Sequence, residues 1–341
     1  MKFLRFSLIF LLPAVMGLAV SCHKDRASAS GSSLTGTLSY NFPEYVQYGD
    51  VIHVSPSGVY REDESDTLLS LRWINPFSSV SDTVRVEADP DTMGNDFYFT
   101  VDRDTIGTFS LSVYVWASGY SSKSKTVSFT VVNPTPDKGS LRGYGFMDEL
   151  STFTDTRDSR SYPYTTVGGK DWFVSNLAYE GTGTSYEEHS VLAPVFGQYY
   201  TWDEAGTACP AGWSLPADAD FVALAKAAGA NVSDDGSVPS GVGTLMGNIT
   251  YNGDKLWEFW PGVNITNSSR FSAIPVGYAM VDETGTKFIG FNDYAMFWTA
   301  DAADAFTAKA RYIYVDKPEF FVGSFGKSSV MASVRCVRDH E

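Results

Sequence analysis

The chain of 341 residues is poor in the groups from which most enzyme centres are built, with four histidines and three cysteines. His23, His53, His189 and His340 are scattered, and none pairs with a cysteine at metal-site spacing. There is no Gly-x-Ser-x-Gly elbow, phosphate-cradling glycine loop or zinc-binding helix motif, so hydrolase, nucleotide and zinc chemistry have no motif to rest on. Carboxylates are plentiful, but a sequence does not show two facing one another as glycosidase chemistry requires. Cations are scarce: 25 Lys and Arg stand against 40 Asp and Glu, a formal charge of −15. That balance disfavours nucleic acid or an anionic surface as partner. Beyond residue 20 no apolar run is long enough to span a bilayer. The expectation is a non-enzyme without cofactor or resident metal.

What is present begins at the N-terminus. Lys2 and Arg5 precede an apolar run at residues 6–20, broken only by Ser7. It falls short of the roughly 20 residues that a membrane-spanning helix needs, and so reads as a removable signal peptide, residues 1–21. Ala19-Val20-Ser21-Cys22 resembles a lipobox, which implies lipid on Cys22 and outer-membrane lipid as a partner. The alternative is a plain secretory signal in which Cys22 is incidental. Each buried CH₂ of such lipid contributes about 0.8 kcal/mol to anchoring. Residues 22–36, rich in Ser, Ala, Gly and charge, read as a flexible tether. The Ser-Cys-x-Lys-Asp start is similar to lipoproteins of the Bacteroidetes, which implies the outer membrane and the cell surface. Cleavage would leave 320 residues, more than one core usually organises, and would take the formal charge to −17.

Asn133-Pro134-Thr135-Pro136-Asp137-Lys138-Gly139-Ser140 separates two halves, with 134–144 read as linker. In residues 37–133, Phe97, Phe99 and Val101, then Phe109 to Val115, then Val127 to Val131 alternate with polar or aromatic neighbours, the period of a half-buried strand. Earlier strands are expected at 51–54, 68–74 and 83–86. Seven or so short strands predict a β-sandwich. Its closing strands are similar to PKD-like and other immunoglobulin-like domains of bacteria, which implies a spacer. Asp89, Asp91, Asn95 and Asp96 do not make a calcium loop: counted from Asp89, Met93 holds the fifth position and Thr100 the twelfth. Asp-Thr-apolar recurs at Thr67, Thr83, Thr92 and Thr105. It resembles the O-glycosylation acceptor of Bacteroidetes, although an aspartate ending a turn before a strand gives the same pattern.

In residues 145–341, Thr201-Trp202-Asp203-Glu204 forms a capping box, with Trp202, Ala205 and Cys209 on one helix face and Pro210 beyond it. A second helix is expected from Asp218, which stands as its cap in place of Ala217. Phe221, Leu224, Ala225 and Ala228 face inward on it, and Gly229 stops it. Without Cys22, Cys209 and Cys336 remain as an even pair, either a disulfide or two buried thiols.

Several blocks occur in order over 145–340: Val167-Gly168-Gly169-Lys170-Asp171-Trp172, Gly197-Gln198-Tyr199-Tyr200-Thr201-Trp202, Ala208-Cys209-Pro210-Ala211-Gly212-Trp213-Ser214-Leu215-Pro216, Phe271-Ser272-Ala273-Ile274-Pro275-Val276-Gly277-Tyr278, Phe297-Trp298-Thr299 and Ser333-Val334-Arg335-Cys336-Val337-Arg338-Asp339. This set resembles the Fibrobacter succinogenes major paralogous domain family. The resemblance implies an α+β, C-type-lectin-like fold in which Cys209 pairs with Cys336. It also implies a variable loop region, here 231–296, holding Trp257, Phe259, Trp260, Tyr278 and Tyr294. Exposed aromatics there would stack on sugars or anchor proteins, whereas buried ones would simply be core. The Glu-Pro-Asn, Gln-Pro-Asp and Trp-Asn-Asp signatures of calcium-dependent sugar binding are absent; Asn292 and Asp293 are a faint echo. Trp257, Trp260, Tyr278, Asn292, Asp293 and Tyr294 are the candidate ligand residues. The expected role is a surface adhesin or recognition module for a glycan or surface protein, or else a structural subunit of a pilus tip or uptake complex.

Overall fold

The computed structural model describes residues 32–61, 70–74, 76–77, 83–86, 96–117 and 119–341. Cys22, Thr67, Thr92 and the acidic stretch 89–95 lie outside the described residues.

The first half is built of strands β1 (Thr35–Ser39), β2 (Tyr45–Gln47), β3 (Val51–Val54), β4 (Ser57–Tyr60), β5 (Ser70–Ile74), β6 (Thr83–Val86), β7 (Phe97–Thr100), β8 (Gly107–Trp116) and β9 (Lys123–Val132). A five-stranded sheet runs β2-β9-β8-β5-β6, and β1-β4 and β3-β7 form separate pairs. The alternation read from sequence is the cause. Leu111, Val113 and Val115 of β8 and Phe129 and Val131 of β9 turn into one core with Val54, Leu71, Phe97 and Phe99. Part of the stretch read as tether is ordered. Ser32 and Ser33 pair with Tyr120 and Ser121, and Leu34 is buried, because an apolar side chain immediately before β1 is drawn into the same core.

The presumed linker is an ordered turn. Ser140 and Asn133 close it by two hydrogen bonds, Ser140 N to Asn133 O at 2.7 Å and Asn133 N to Ser140 Oγ at 2.9 Å. Asp137, in a left-handed conformation at φ 57°, accepts from the amides of Gly143, Tyr144 and Gly145. Leu141 and Arg142 already pair with Tyr251 and Thr250. The halves also touch: Gln47 Nε2 donates to Val191 O at 3.2 Å, and the Tyr45 and His189 rings are 4.8 Å apart.

The second half contains β10 (Ser151–Thr154), β11 (Ser161–Val167), β12 (Lys170–Phe173), α1 (Trp202–Ala208), α2 (Asp218–Ala227), β13 (Tyr278–Asp282), β14 (Gly285–Ile289), β15 (Tyr294–Ala302), β16 (Thr307–Tyr314), β17 (Phe321–Gly326), β18 (Val330–Met331) and β19 (Val337–Asp339). They form sheets β10-β11-β12-β19, β14-β13-β18 and β15-β16-β17, so the chain is β-rich throughout. Helix α1 starts on the expected capping box, with Glu204 N to Thr201 Oγ1 at 3.4 Å and Thr201 N to Glu204 Oε2 at 2.8 Å. Helix α2 corrects the cap assignment. Ala217 is the N-cap, and Asp220 accepts its amide at 2.8 Å. Asp218 is already helical and is drawn away by Arg311, whose Nε lies 2.5 Å from Asp218 Oδ1. Phe221, Leu224 and Ala225 bury against Trp172, Phe271 and Phe297, and Gly229 ends the helix at φ 93°.

Candidate functional site

Cys209, at the end of α1, and Cys336, just before β19, form a disulfide with Cα atoms 5.7 Å apart, closing 127 residues. In the chain-entropy model a loop of that length stabilises by about 5 kcal/mol. Two buried arginines fix what the disulfide encloses. Arg311 on β16 reaches Asp218, Phe320 O and Gly236 O. Arg335 gathers Phe173, Val174, Phe271 and Ser272 carbonyls and Asn176 Oδ1.

On this base, one face of the β15-β16-β17 sheet carries the candidate site. Along β16 the even positions run Ala308, Ala310, Tyr312, Tyr314, with Ile313 turned to the opposite core. The small residues Ala308 and Ala310 let Trp298 bury completely, its indole donating to Tyr200 O at 2.7 Å. At the other end there is no such cover, and the rings stand half-buried. Tyr294 pairs in register with Tyr314, and Tyr312 with Phe321. Ring centroids are 5.9 Å apart for Tyr278–Tyr294, 3.9 Å for Tyr294–Tyr314, 5.2 Å for the stacked Tyr312–Phe321 and 5.8 Å for Tyr312–Phe325. Gly323 makes room beneath them, since a Cβ there would come within 2.9 Å of the Phe325 ring. The strip continues at Tyr278 onto its cross-strand neighbour Ile289 and to Met280, both exposed.

The sequence-derived candidates divide. Tyr278 and Tyr294 belong to the strip. Asn292 and Asp293 are exposed in the turn that leads into Tyr294; Asn292 takes φ 70° there, and Tyr294 N closes the turn on Gly290 O at 2.9 Å. Trp260 is 39% exposed on a separate loop beside Phe259, which is 80% exposed. Trp257 is corrected to core. It is 3% exposed, its indole donates to Ala273 O at 2.8 Å, and it belongs to the same buried cluster as Phe221, Phe271 and Phe297. Tyr312, Tyr314, Phe321 and Phe325 were missed, since they follow the loop window; the signal was the Tyr-Ile-Tyr alternation at 312–314.

Of the threonine motifs, Thr105 is exposed in the loop before β8, and Thr83 opens β6 opposite Ile74. Among the described residues, Glu44, Glu187 and His189 bring three potential ligand atoms within 4.8 Å of one another where the halves meet. This group is not legible in sequence, because Glu44 lies more than 140 residues from Glu187 and His189. Both carboxylates are exposed, and nothing buried points at them, so no metal is assigned.

Fold and site together define a β-rich chain whose second half is an α+β unit, closed by a disulfide and presenting an aromatic surface. The family model described as Fibrobacter succinogenes major domain matches residues 165–338, and the chain belongs to that family. No curated protein matches the chain.

Proposed function

We propose that the chain is a surface recognition protein, an adhesin or binding module without catalytic activity or cofactor, which takes a glycan or a surface protein on the aromatic strip. In this reading the second half is a C-type-lectin-like head and the first an immunoglobulin-like spacer. Cys22, lipid-bearing after removal of residues 1–21, anchors both to an outer membrane at the cell surface. The observation that carries the reading is the run of half-buried rings from Tyr278 through Tyr294 and Tyr314 to Phe321. Rings of this kind offer apolar faces and phenolic hydroxyls at little entropic cost, which suits sugar stacking or a protein hot spot. The fixed base beneath them lowers the ordering cost of binding.

The test is a glycan array and an envelope pull-down with the whole chain and its Tyr294→Ala/Tyr314→Ala variant. The expected result is a ligand whose affinity falls at least tenfold, roughly 1.4 kcal/mol, in the variant. Equal binding by both proteins overturns the assignment of the strip. A second reading, a structural subunit of a surface assembly, is favoured by β14, an edge strand bearing exposed Ile289 beside exposed Met280 and Val281. A stoichiometric envelope partner retained by the variant, with no glycan bound, supports that reading instead.

A further inference from the structure

The spacer carries a surface of its own. On the face of the five-stranded sheet turned away from its core, Ser124, Tyr114 and Arg72 stand in one cross-strand row. Trp116 follows Tyr114 two residues along β8, on the same face and roughly 7 Å away. Tyr114 and Trp116 are half-buried and Arg72 is exposed. Together with Ser122 they line a cleft of about 220 Å³. The Arg72 guanidinium lies 4.7 Å from the Tyr114 ring centroid and makes no hydrogen bond among the described residues. Among the described residues, its fork of donors therefore meets a ring face and no oxygen.

One further feature adds to the chemistry of the face. Beyond the rings, the sheet is a flat ladder of paired hydroxyls: Ser112 with Thr126 at 2.8 Å, Ser110 with Ser128 at 3.4 Å and Thr108 with Thr130 at 3.3 Å. Rings, neutral hydroxyls and the exposed Arg72 cation match one class of ligand, a sugar chain bearing negative groups. Stacking would hold the ring faces, and an arginine fork would take a carboxylate or sulfate. We propose that this face of the first half binds an anionic polysaccharide, with Tyr114 and Trp116 under successive sugar rings and Arg72 on the acidic substituent. The site is independent of the aromatic strip in the second half.

The experiment is titration calorimetry of the whole chain with tetragalacturonate, a chondroitin sulfate tetrasaccharide and neutral cellotetraose. It is repeated on Trp116→Ala, Arg72→Gln and, as a control, Tyr314→Ala, with melting temperatures recorded for each. At least one acidic probe should bind better than cellotetraose and lose affinity as salt is raised. Trp116→Ala and Arg72→Gln should each weaken it at least tenfold at an unchanged melting temperature, and Tyr314→Ala should leave it as it was. Whether the uronate or the sulfated probe binds better identifies the acidic group. No binding of either acidic probe overturns the proposal. So does equal binding of cellotetraose, or unchanged binding by both first-half variants.

Discussion

Arg335 shows how much one side chain can organise. It is fully buried and has no carboxylate among its hydrogen-bond partners. Its charge is held instead by five oxygens, at 2.5 Å from Val174 O, 2.6 Å from Phe271 O, 2.7 Å from Asn176 Oδ1, and 3.0 Å from Phe173 O and Ser272 O. The Phe271 and Phe297 rings lie beneath the guanidinium, at 4.6 and 5.5 Å. Burial pushes its pKa down to about 9, so it remains a cation at neutral pH. Arg335→Met would remove every donor and leave those acceptors buried, and a buried unsatisfied group costs about 1–3 kcal/mol. With partial relaxation, the expected loss is about 3 kcal/mol or more by urea unfolding. Arg335→Lys should recover only part of it, since an ammonium cannot match the planar fork. A loss below about 1 kcal/mol for Arg335→Met would show that the oxygens find other donors. Sequence placed Arg335 in a motif but gave it no role, because arginine is ordinarily a surface residue and only the fold shows five oxygens converging.

At the scale of elements, β8 and β9 are joined by ladder bonds along their length and by one side chain from outside. The Tyr40 hydroxyl lies 3.0 Å from both Leu111 O and Lys125 O, with one proton to share between them. Burial raises its pKa to about 12, so it stays a donor well above neutrality. Tyr40→Phe should cost about 1 kcal/mol, the net worth of a buried hydrogen bond, and should speed amide exchange in β8 and β9 while leaving the second half unchanged. Unaltered exchange in both strands would assign that tyrosine to packing alone. The strands themselves were legible: β3 and β6 coincide with the expected 51–54 and 83–86, and Leu111, Val113 and Val115 of β8 alternate inward as read, because one face of that strand is buried. Helix α1 was equally legible from its capping box. What alternation cannot report is which layer covers a face. Ala308, Ala310, Tyr312 and Tyr314 share a face of β16, yet the first two are buried and the last two half-exposed. Trp257 fails for the same reason: a loop tryptophan among polar neighbours reads as exposed until it is seen in one buried cluster with Phe221 of α2.

For the molecule as a whole, two buried carboxylates set the response to acid. Asp155 takes two bonds from Arg157 Nε and one from Nη2 at 2.7 Å, and Arg157 also reaches Ala208 O, tying the β10-β11 hairpin to the end of α1. Asp171 accepts from Thr166 Oγ1 at 2.7 Å, Arg338 Nε at 3.0 Å and His340 Nδ1 at 2.8 Å, tying β12 to β19. Burial alone would raise both pKa values; the hydrogen bonds, from Arg157 for one and from Thr166, Arg338 and His340 for the other, more than offset it and hold both below the ordinary carboxylate value. A carboxylate whose folded pKa is depressed binds protons more readily when unfolded. Its contribution is therefore complete above the unfolded value near 4 and is lost as pH falls through the lower, folded value. Net charge works the other way at first, since the chain approaches its isoelectric point near 4.6 and self-repulsion fades. The melting temperature should thus hold or rise slightly from pH 7 to pH 5 and then fall steeply below about pH 4. Asp155→Asn/Asp171→Asn should melt lower than wild type at pH 7 and show a shallower acid limb, because the groups whose protonation drives that limb are gone. Calorimetric scans from pH 2.5 to pH 7 would measure both curves. Parallel acid limbs for wild type and variant would move the origin of acid sensitivity to other carboxylates and leave these two pairs as packing contacts.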